Sequence, residues 1–333
     1  MKNRTQKKEK KFKLFDMNRD GKGVYEQESR KPTLKFFFVL TKRKFSQLIQ
    51  LNLMMLVKFI PLLVILGLYF MGNKTPAVSE SIFIPLSGIN KILPSPSLTT
   101  AIDLSGIQMN LPVFNLWMIA LIVVMVLFFA LTFGWQNVGS AYVLRGLFRG
   151  DAVFIWSDYF YAIKRNFKQA FVLGLLDFIL SAVLIIDFLF FYFRTGMSFG
   201  MDVMYFMIFA MGLIYIVMRF YMYQILITFD LSNFKIIKNS LIFSILGIKR
   251  NIMALLGLIL VIGLHLVLII AFVPRGISIP LVLPIVCLFS LCGFITTYAS
   301  YPIIDRYMIA PYESEEKSDV SAELMDASTE SDD

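Results

Sequence analysis

Five ionisable side chains interrupt apolar stretches of the sequence: Lys58, Asp177, Asp187, Arg219 and His265. Charged groups are costly in hydrocarbon, so such residues usually pair with one another or mark a path for ions or substrates. Counted along a helix at about 1.5 Å per residue from the more basic side, Asp177 lies about 10 Å deep, and Lys58 and Arg219 lie about 15 Å deep. The sequence therefore predicts an intramembrane pair between Asp177 and Arg219, with Lys58 competing for the same carboxylate.

The same count predicts a weaker pair farther from that side, because His265 lies about 20 Å deep and Asp187 about 25 Å deep. Two interpretations of all these groups are open. They are either structural ion pairs with snorkelling side chains, which we favour, or the lining of a polar cavity for a substrate or protons.

Other motifs that could carry chemistry are weak. Asp16, Asn18, Asp20 and Gly21 fit the opening of a calcium loop, but Gln27 stands where a bidentate glutamate is needed, so a simple turn is favoured. A single histidine supports no zinc site, and the sequence has neither a phosphate-binding loop nor a nucleophile elbow. We expect no enzyme, no metal and no cofactor.

The composition indicates the surroundings of these residues. The chain has 333 residues, of which 57% are hydrophobic and 17% are charged, whereas about 25% of an ordinary soluble domain is charged. Six apolar stretches can cross roughly 30 Å of hydrocarbon: residues 48–71, 112–144, 170–193, 203–229, 252–273 and 277–304. The predicted fold is all-α, a polytopic six-helix transmembrane bundle, with bends or span ends at Gly134, Gly139, Pro280 and Pro284.

Basic residues alternate between the two sides of these spans. The net charge is +9, and 26 of the 32 Lys and Arg residues fall on the side of both termini, against four on the other side. The positive-inside rule therefore predicts cytoplasmic termini. We expect residues 1–33 to be a basic, largely disordered tail attracted to the anionic inner leaflet, 34–307 to be the membrane domain, and 308–333 to be an acidic disordered tail. The external loop, 72–111, is either a small packed cap or an irregular connector.

A basic motif recurs at the entry of the odd-numbered spans. It reads Lys42-Arg43-Lys44-Phe45, Ile163-Lys164-Arg165-Asn166-Phe167 and Ile248-Lys249-Arg250-Asn251, and the last two share Ile-Lys-Arg-Asn 85 residues apart. Each follows an amphipathic, aromatic segment, at 34–40, 153–162 and 234–246. This pattern predicts cytoplasmic interfacial amphipathic helices. It is either a parallel repeat of interfacial helix, basic hinge and two spans, or the ordinary basic flank of an inward-starting helix.

The loop 145–169 is the predicted docking surface for a membrane transporter or a cytoplasmic protein. Its aromatic residues could anchor a partner and its basic residues could supply charge: Trp156, Tyr159, Phe160 and Tyr161, with Lys164, Arg165 and Lys168. Asp158 is also part of the predicted docking loop. An interfacial helix whose aromatic rings simply lie at the level of the lipid headgroups is equally open. Nucleic acid is not a predicted partner, because topology already explains the basic residues.

The same loop carries a specific set of runs: Ala141-Tyr142-Val143-Leu144-Arg145, Phe148-Arg149-Gly150-Asp151, Val153-Phe154-Ile155-Trp156-Ser157-Asp158 and Lys164-Arg165-Asn166-Phe167-Lys168-Gln169. These runs resemble the signature of the YesL-like family of bacterial integral membrane proteins, a domain of unknown function. Gly21-Lys22-Gly23-Val24, and Leu51-Asn52-Leu53 with Pro61, agree with it. The resemblance covers roughly residues 36–307. The long external loop and the acidic tail depart from the pattern.

The resemblance implies a multi-span helical fold in a bacterial cytoplasmic membrane, with no assigned catalytic residues. Members are often encoded near carbohydrate-uptake transporters and polysaccharide-degrading enzymes, which implies an accessory or regulatory role in carbohydrate uptake. The alternative is a transporter in its own right, with the intramembrane polar groups along its path.

Overall fold

The structure is a computed structural model that describes residues 32–71 and 114–312. Most of both predicted tails, the calcium-like turn and the external loop lie outside the described residues. The last helical segment continues to Tyr312, four residues beyond the predicted start of the acidic tail.

The described backbone is helical and contains no strand. Its helices are α1 (Leu34–Leu56), α2 (Ile60–Met71), α3 (Leu116–Arg149), α4 (Ile155–Arg165), α5 (Phe167–Tyr192), α6 (Phe199–Thr228), α7 (Asn233–Leu246), α8 (Ile248–Phe272), α9 (Ile279–Leu283) and α10 (Phe289–Ile304). Six units are long and apolar enough to cross a membrane: α1 with α2, α3, α5, α6, α8, and α9 with α10. The all-α six-helix bundle predicted from the sequence is confirmed, and the protein has the fold of a multi-pass membrane protein.

α3 is the central helix and packs against α2, α4, α5, α6 and α10. The outer surface of the bundle is apolar rather than charged. On α8, for example, Ile259, Leu260 and Ile270 each expose at least 66% of their surface. A helix that is apolar on all sides suits a lipid environment, so these exposed side chains form a surface suited to contact with lipid.

α3 and α5 approach each other closely at two glycines, Gly134 and Gly174. A Cβ atom added at Gly174 would lie 2.1 Å from the Cα of Gly134, and one added at Gly134 would lie 1.9 Å from the carbonyl oxygen of Ala170. Small residues let membrane helices approach closely in this way. α3 runs unbroken through Gly134 and Gly139, so neither glycine ends the helix. These glycines are sites of close contact, and Gly139 lies against the ring of Tyr159.

This contact gives a direct prediction for Gly174→Ala. The added methyl group must push α3 and α5 apart, so we expect a lower unfolding temperature in detergent, although alanine by itself favours a helix by about 1 kcal/mol over glycine. The matched control is Gly212→Ala on α6, where an added Cβ meets nothing within 4 Å. Equal melting temperatures for the two variants would contradict the close contact.

The three predicted repeat units differ in the structure. The first has no separate interfacial helix, because α1 continues unbroken from Leu34 through the basic residues 42–44. In the second unit, α4 ends before Asn166, whose side-chain amide donates to the carbonyl of Ala162 at 3.0 Å. In the third, α7 ends before Gly247, and the amide of Asn251 donates to the carbonyl of Ser244 at 2.9 Å. The asparagine of Ile-Lys-Arg-Asn thus binds the end of the preceding helix in both units.

The sixth span is interrupted at the predicted prolines. α9 ends at Leu283, and a turn of π-helix from Pro284 to Leu288 precedes α10. Asn52 of α1, fully buried, donates to the carbonyls of Pro284 at 2.8 Å and Ile285 at 2.7 Å and accepts from the backbone N–H of Ser290 at 3.0 Å. Backbone polar groups must be satisfied inside a bilayer, so one side chain stabilises the irregular turn.

Candidate functional site

The carboxylate of Asp177 lies at the centre of a polar cluster inside the bundle. Its side chain is 0% exposed, whereas that of Arg219 is 33% exposed. The Nε atom of Arg219 lies 2.9 Å from Oδ1 and 3.2 Å from Oδ2 of the carboxylate. The structure therefore brings together the two residues that the depth count placed side by side.

Two tyrosines complete the shell around this carboxylate. The hydroxyl of Tyr215 donates to Oδ1 of Asp177 and that of Tyr223 donates to Oδ2, each at 2.6 Å. Ser181, one turn along α5, makes a longer bond of 3.4 Å to Oδ1. Tyr215, Arg219 and Tyr223 are spaced by four residues, which places them on one face of α6. Sequence reasoning missed the tyrosines, although this spacing was a usable signal.

Lys58 does not share the carboxylate. Its ammonium group donates to Oδ1 of Asn137 at 2.7 Å and lies 3.9 Å from the ring centre of Phe133. The guanidinium group of Arg219 lies 5.4 Å from the same ring, so one aromatic side chain contacts both cations. In the described part of the chain Lys58 forms no ion pair, and its predicted competition for Asp177 is not seen.

The second predicted pair does not form. Asp187 and His265 make no ion pair with each other within the described residues. Asp187 is on α5, which packs mainly on α3 and α6, whereas His265 is on α8, which packs mainly on α10. A depth count places two residues at similar heights in the membrane but does not say which way their helices face, and here the helices lie apart.

α4 presents two different faces at the end of the bundle. Ile155, Tyr159 and Ala162 are buried against the other helices, whereas Trp156 and Phe160 are exposed and their rings stack with centroids 6.4 Å apart. Tyr161 is also exposed. Hence α4 is an amphipathic helix fixed by its buried face, as predicted, with an aromatic outer face.

Two of the predicted docking residues have structural roles instead. The carboxylate of Asp158 accepts from the backbone N–H of Phe154 at 2.8 Å, which caps the start of α4. The ring of Tyr159 packs on Gly139, and burial raises the pKa of its hydroxyl to about 12. That hydroxyl therefore stays protonated at neutral pH and can donate to the carbonyl of Gln136, 3.4 Å away. Tyr159 is therefore buried within the bundle, whereas Asp158 is partly exposed and binds the start of its own helix.

Basic residues follow the aromatic face. Lys164, Arg165 and Lys168 are exposed at the junction of α4 and α5. The indole N–H of Trp135 donates to the carbonyl of Phe167 at 2.9 Å, and the two rings stack with centroids 4.5 Å apart. These contacts fix the start of α5 against α3, so the three cations project from a defined backbone.

The chemistry of these sites is that of charge and hydrogen bonding. Within residues 32–71 and 114–312 no group of three or more His, Cys, Asp or Glu side chains could hold a metal ion. The chain matches no protein-family model, no curated protein and no solved structure.

Proposed function

We propose that this protein is an accessory or regulatory component of a bacterial cytoplasmic membrane, a member of the YesL-like family, and a partner of carbohydrate uptake. In this proposal both termini and α4 lie on the cytoplasmic side. The distribution of basic residues supports the orientation, and the runs between residues 141 and 169 support the family. The protein acts by docking a transporter or a cytoplasmic protein, not by catalysis.

The observation that carries this proposal is the exposed aromatic face of α4, formed by Trp156, Phe160 and Tyr161. Its backbone is anchored by the contact of Tyr159 with Gly139, so the outer rings need little ordering when they bind. Rigid aromatic side chains next to exposed charge are typical anchors of protein interfaces.

A photo-crosslinking residue at position 160, incorporated into the full chain in native membranes, tests the docking. We expect one defined protein adduct, which also co-purifies with the unmodified chain in mild detergent and is lost in Trp156→Ala. The matched control places the same probe at Phe199, an exposed aromatic residue at the start of α6. This probe should give no such adduct. Recovery of lipid alone from position 160 would contradict docking and would show that α4 only anchors the protein at the membrane interface.

A transporter is the second candidate, and the polar cluster favours it. The cluster holds two basic side chains, Lys58 and Arg219, near one carboxylate. Within the described residues, the amide nitrogen of Asn137 and the amide oxygen of Gln224 are buried without a hydrogen-bond partner. Such groups are available to a polar solute crossing the membrane. Solute uptake by proteoliposomes of the purified chain, lost in Asp177→Asn, would favour this candidate over docking.

A further inference from the structure

A cleft opens at the junction of α4, α5 and the end of α6. It has a volume of about 600 Å³, within the range of about 300–1,000 Å³ typical of small-molecule sites. Lys164, Arg165 and Lys168 line one side, and Asp230 is its single acidic residue. The cleft therefore has an excess of positive charge.

The three cations are not engaged elsewhere. Among the described residues, the side chains of Lys164, Arg165 and Lys168 form no ion pair and no hydrogen bond, whereas the basic side chains of Arg145 and Arg219 are bound inside the bundle. Positive-inside topology explains why basic residues lie at this end, but it does not explain why three of them line one cleft.

The cleft also has an apolar wall, which lies at the ends of two candidate spans. Phe167 begins α5, and Leu226 and Phe229 lie at the end of α6, so the cleft is next to the ends of two spans. A side-chain hydrogen bond from Gln169 to the carbonyl of Leu231 joins the two sides. The cleft thus combines three cations with an apolar wall, and one hydrogen bond connects its two sides.

We infer that this cleft binds the headgroup of an anionic phospholipid, with the phosphate at the three cations and the acyl chains along the apolar wall. Basic pockets between membrane helices bind anionic headgroups in this way. A free phosphate compound shares the charge but gains nothing from Phe167 and Phe229, which is why we assign a lipid. The inference goes beyond the proposed docking function and does not depend on a protein partner. It assigns the three basic residues to lipid and leaves the aromatic face to docking.

The test measures binding to the delipidated, purified full chain, from the shift in its unfolding temperature and by titration. Phosphatidylglycerol should stabilise the protein, whereas phosphatidylcholine and inorganic phosphate should not. The combined variant Lys164→Gln, Arg165→Gln and Lys168→Gln should bind phosphatidylglycerol at least about tenfold more weakly. These side chains are exposed, so the unfolding temperature without lipid should stay unchanged.

A matched control removes the same charge from the same end of the bundle. Lys235, Lys238 and Lys249 are exposed on α7 and α8, outside the cleft, and their combined change to Gln should leave the affinity within about twofold of the original. Equal losses in both triple variants would show diffuse attraction and overturn the assignment. Stabilisation by inorganic phosphate equal to that by phosphatidylglycerol would assign the cleft to a soluble ligand, and the absence of any lipid effect would refute the site.

Discussion

Asp177→Asn is expected to destabilise the folded protein by about 3 kcal/mol, because it leaves the guanidinium group of Arg219 beside a buried amide. Removing one member of a buried ion pair usually costs about 3–5 kcal/mol, and the partial exposure of Arg219 places the effect at the lower end. The double variant Asp177→Asn with Arg219→Met removes both charges and should lose less stability than Asp177→Asn alone. Unfolding of the purified protein in mixed micelles with increasing sodium dodecyl sulfate measures both.

Asp187→Asn is the matched control for this experiment. It makes the same chemical change on the same helix at a carboxylate outside the polar cluster, so we expect a change within about 0.5 kcal/mol. If the single and double variants at Asp177 lost the same stability, the unpaired guanidinium group of Arg219 would carry no cost, which would contradict the prediction.

Asn52→Leu is the second change with a large expected effect. Leucine fills a similar space but leaves two carbonyls and one N–H of the sixth span without their side-chain partner. An unsatisfied buried polar group costs about 1–3 kcal/mol, and we expect a total loss of about 3 kcal/mol because the turn can partly rearrange. The measurement is unfolding in the same micelles, together with amide hydrogen exchange of residues 284–290, which should become faster.

The control is Thr132→Leu, which removes a hydroxyl bonded only within its own helix, to the carbonyls of Phe128 and Phe129. Its stability and its exchange in residues 284–290 should match those of the original protein. Unchanged exchange at Ser290 in Asn52→Leu would show that the turn is stable without the asparagine.

The sequence correctly predicted those features of the fold and of the polar cluster that depend only on position along one helix. The length and apolarity of each span predicted the bundle, and the depth count placed Asp177 level with Arg219. The same count was misleading for Asp187 and His265, because depth does not determine the direction in which a helix faces. Lys58 shows the same limit, since its partner is the amide of Asn137 rather than the carboxylate.

Contacts between distant parts of the chain were not predictable in this way. The prolines of the sixth span were visible as breaks, but nothing local indicates that Asn52, 232 residues before Pro284, would stabilise the turn. Gly134 and Gly139 resembled flexible points because glycine permits bends. Which role a glycine has depends on the helix that packs against it, and here α5 and Tyr159 occupy the space of the missing side chains.

The contact of Tyr159 with α3 has a consequence for communication through the molecule. The segment of α3 from Phe133 to Gly139 touches α4 on one side, through Gly139, and Lys58 on the other, through Asn137. Close-packed side chains transmit strain because they leave no space to absorb a shift. A shift of α4 would therefore press on the same two turns of α3 that contact the buried Lys58, so that the exposed helix and the buried lysine are connected through one helix.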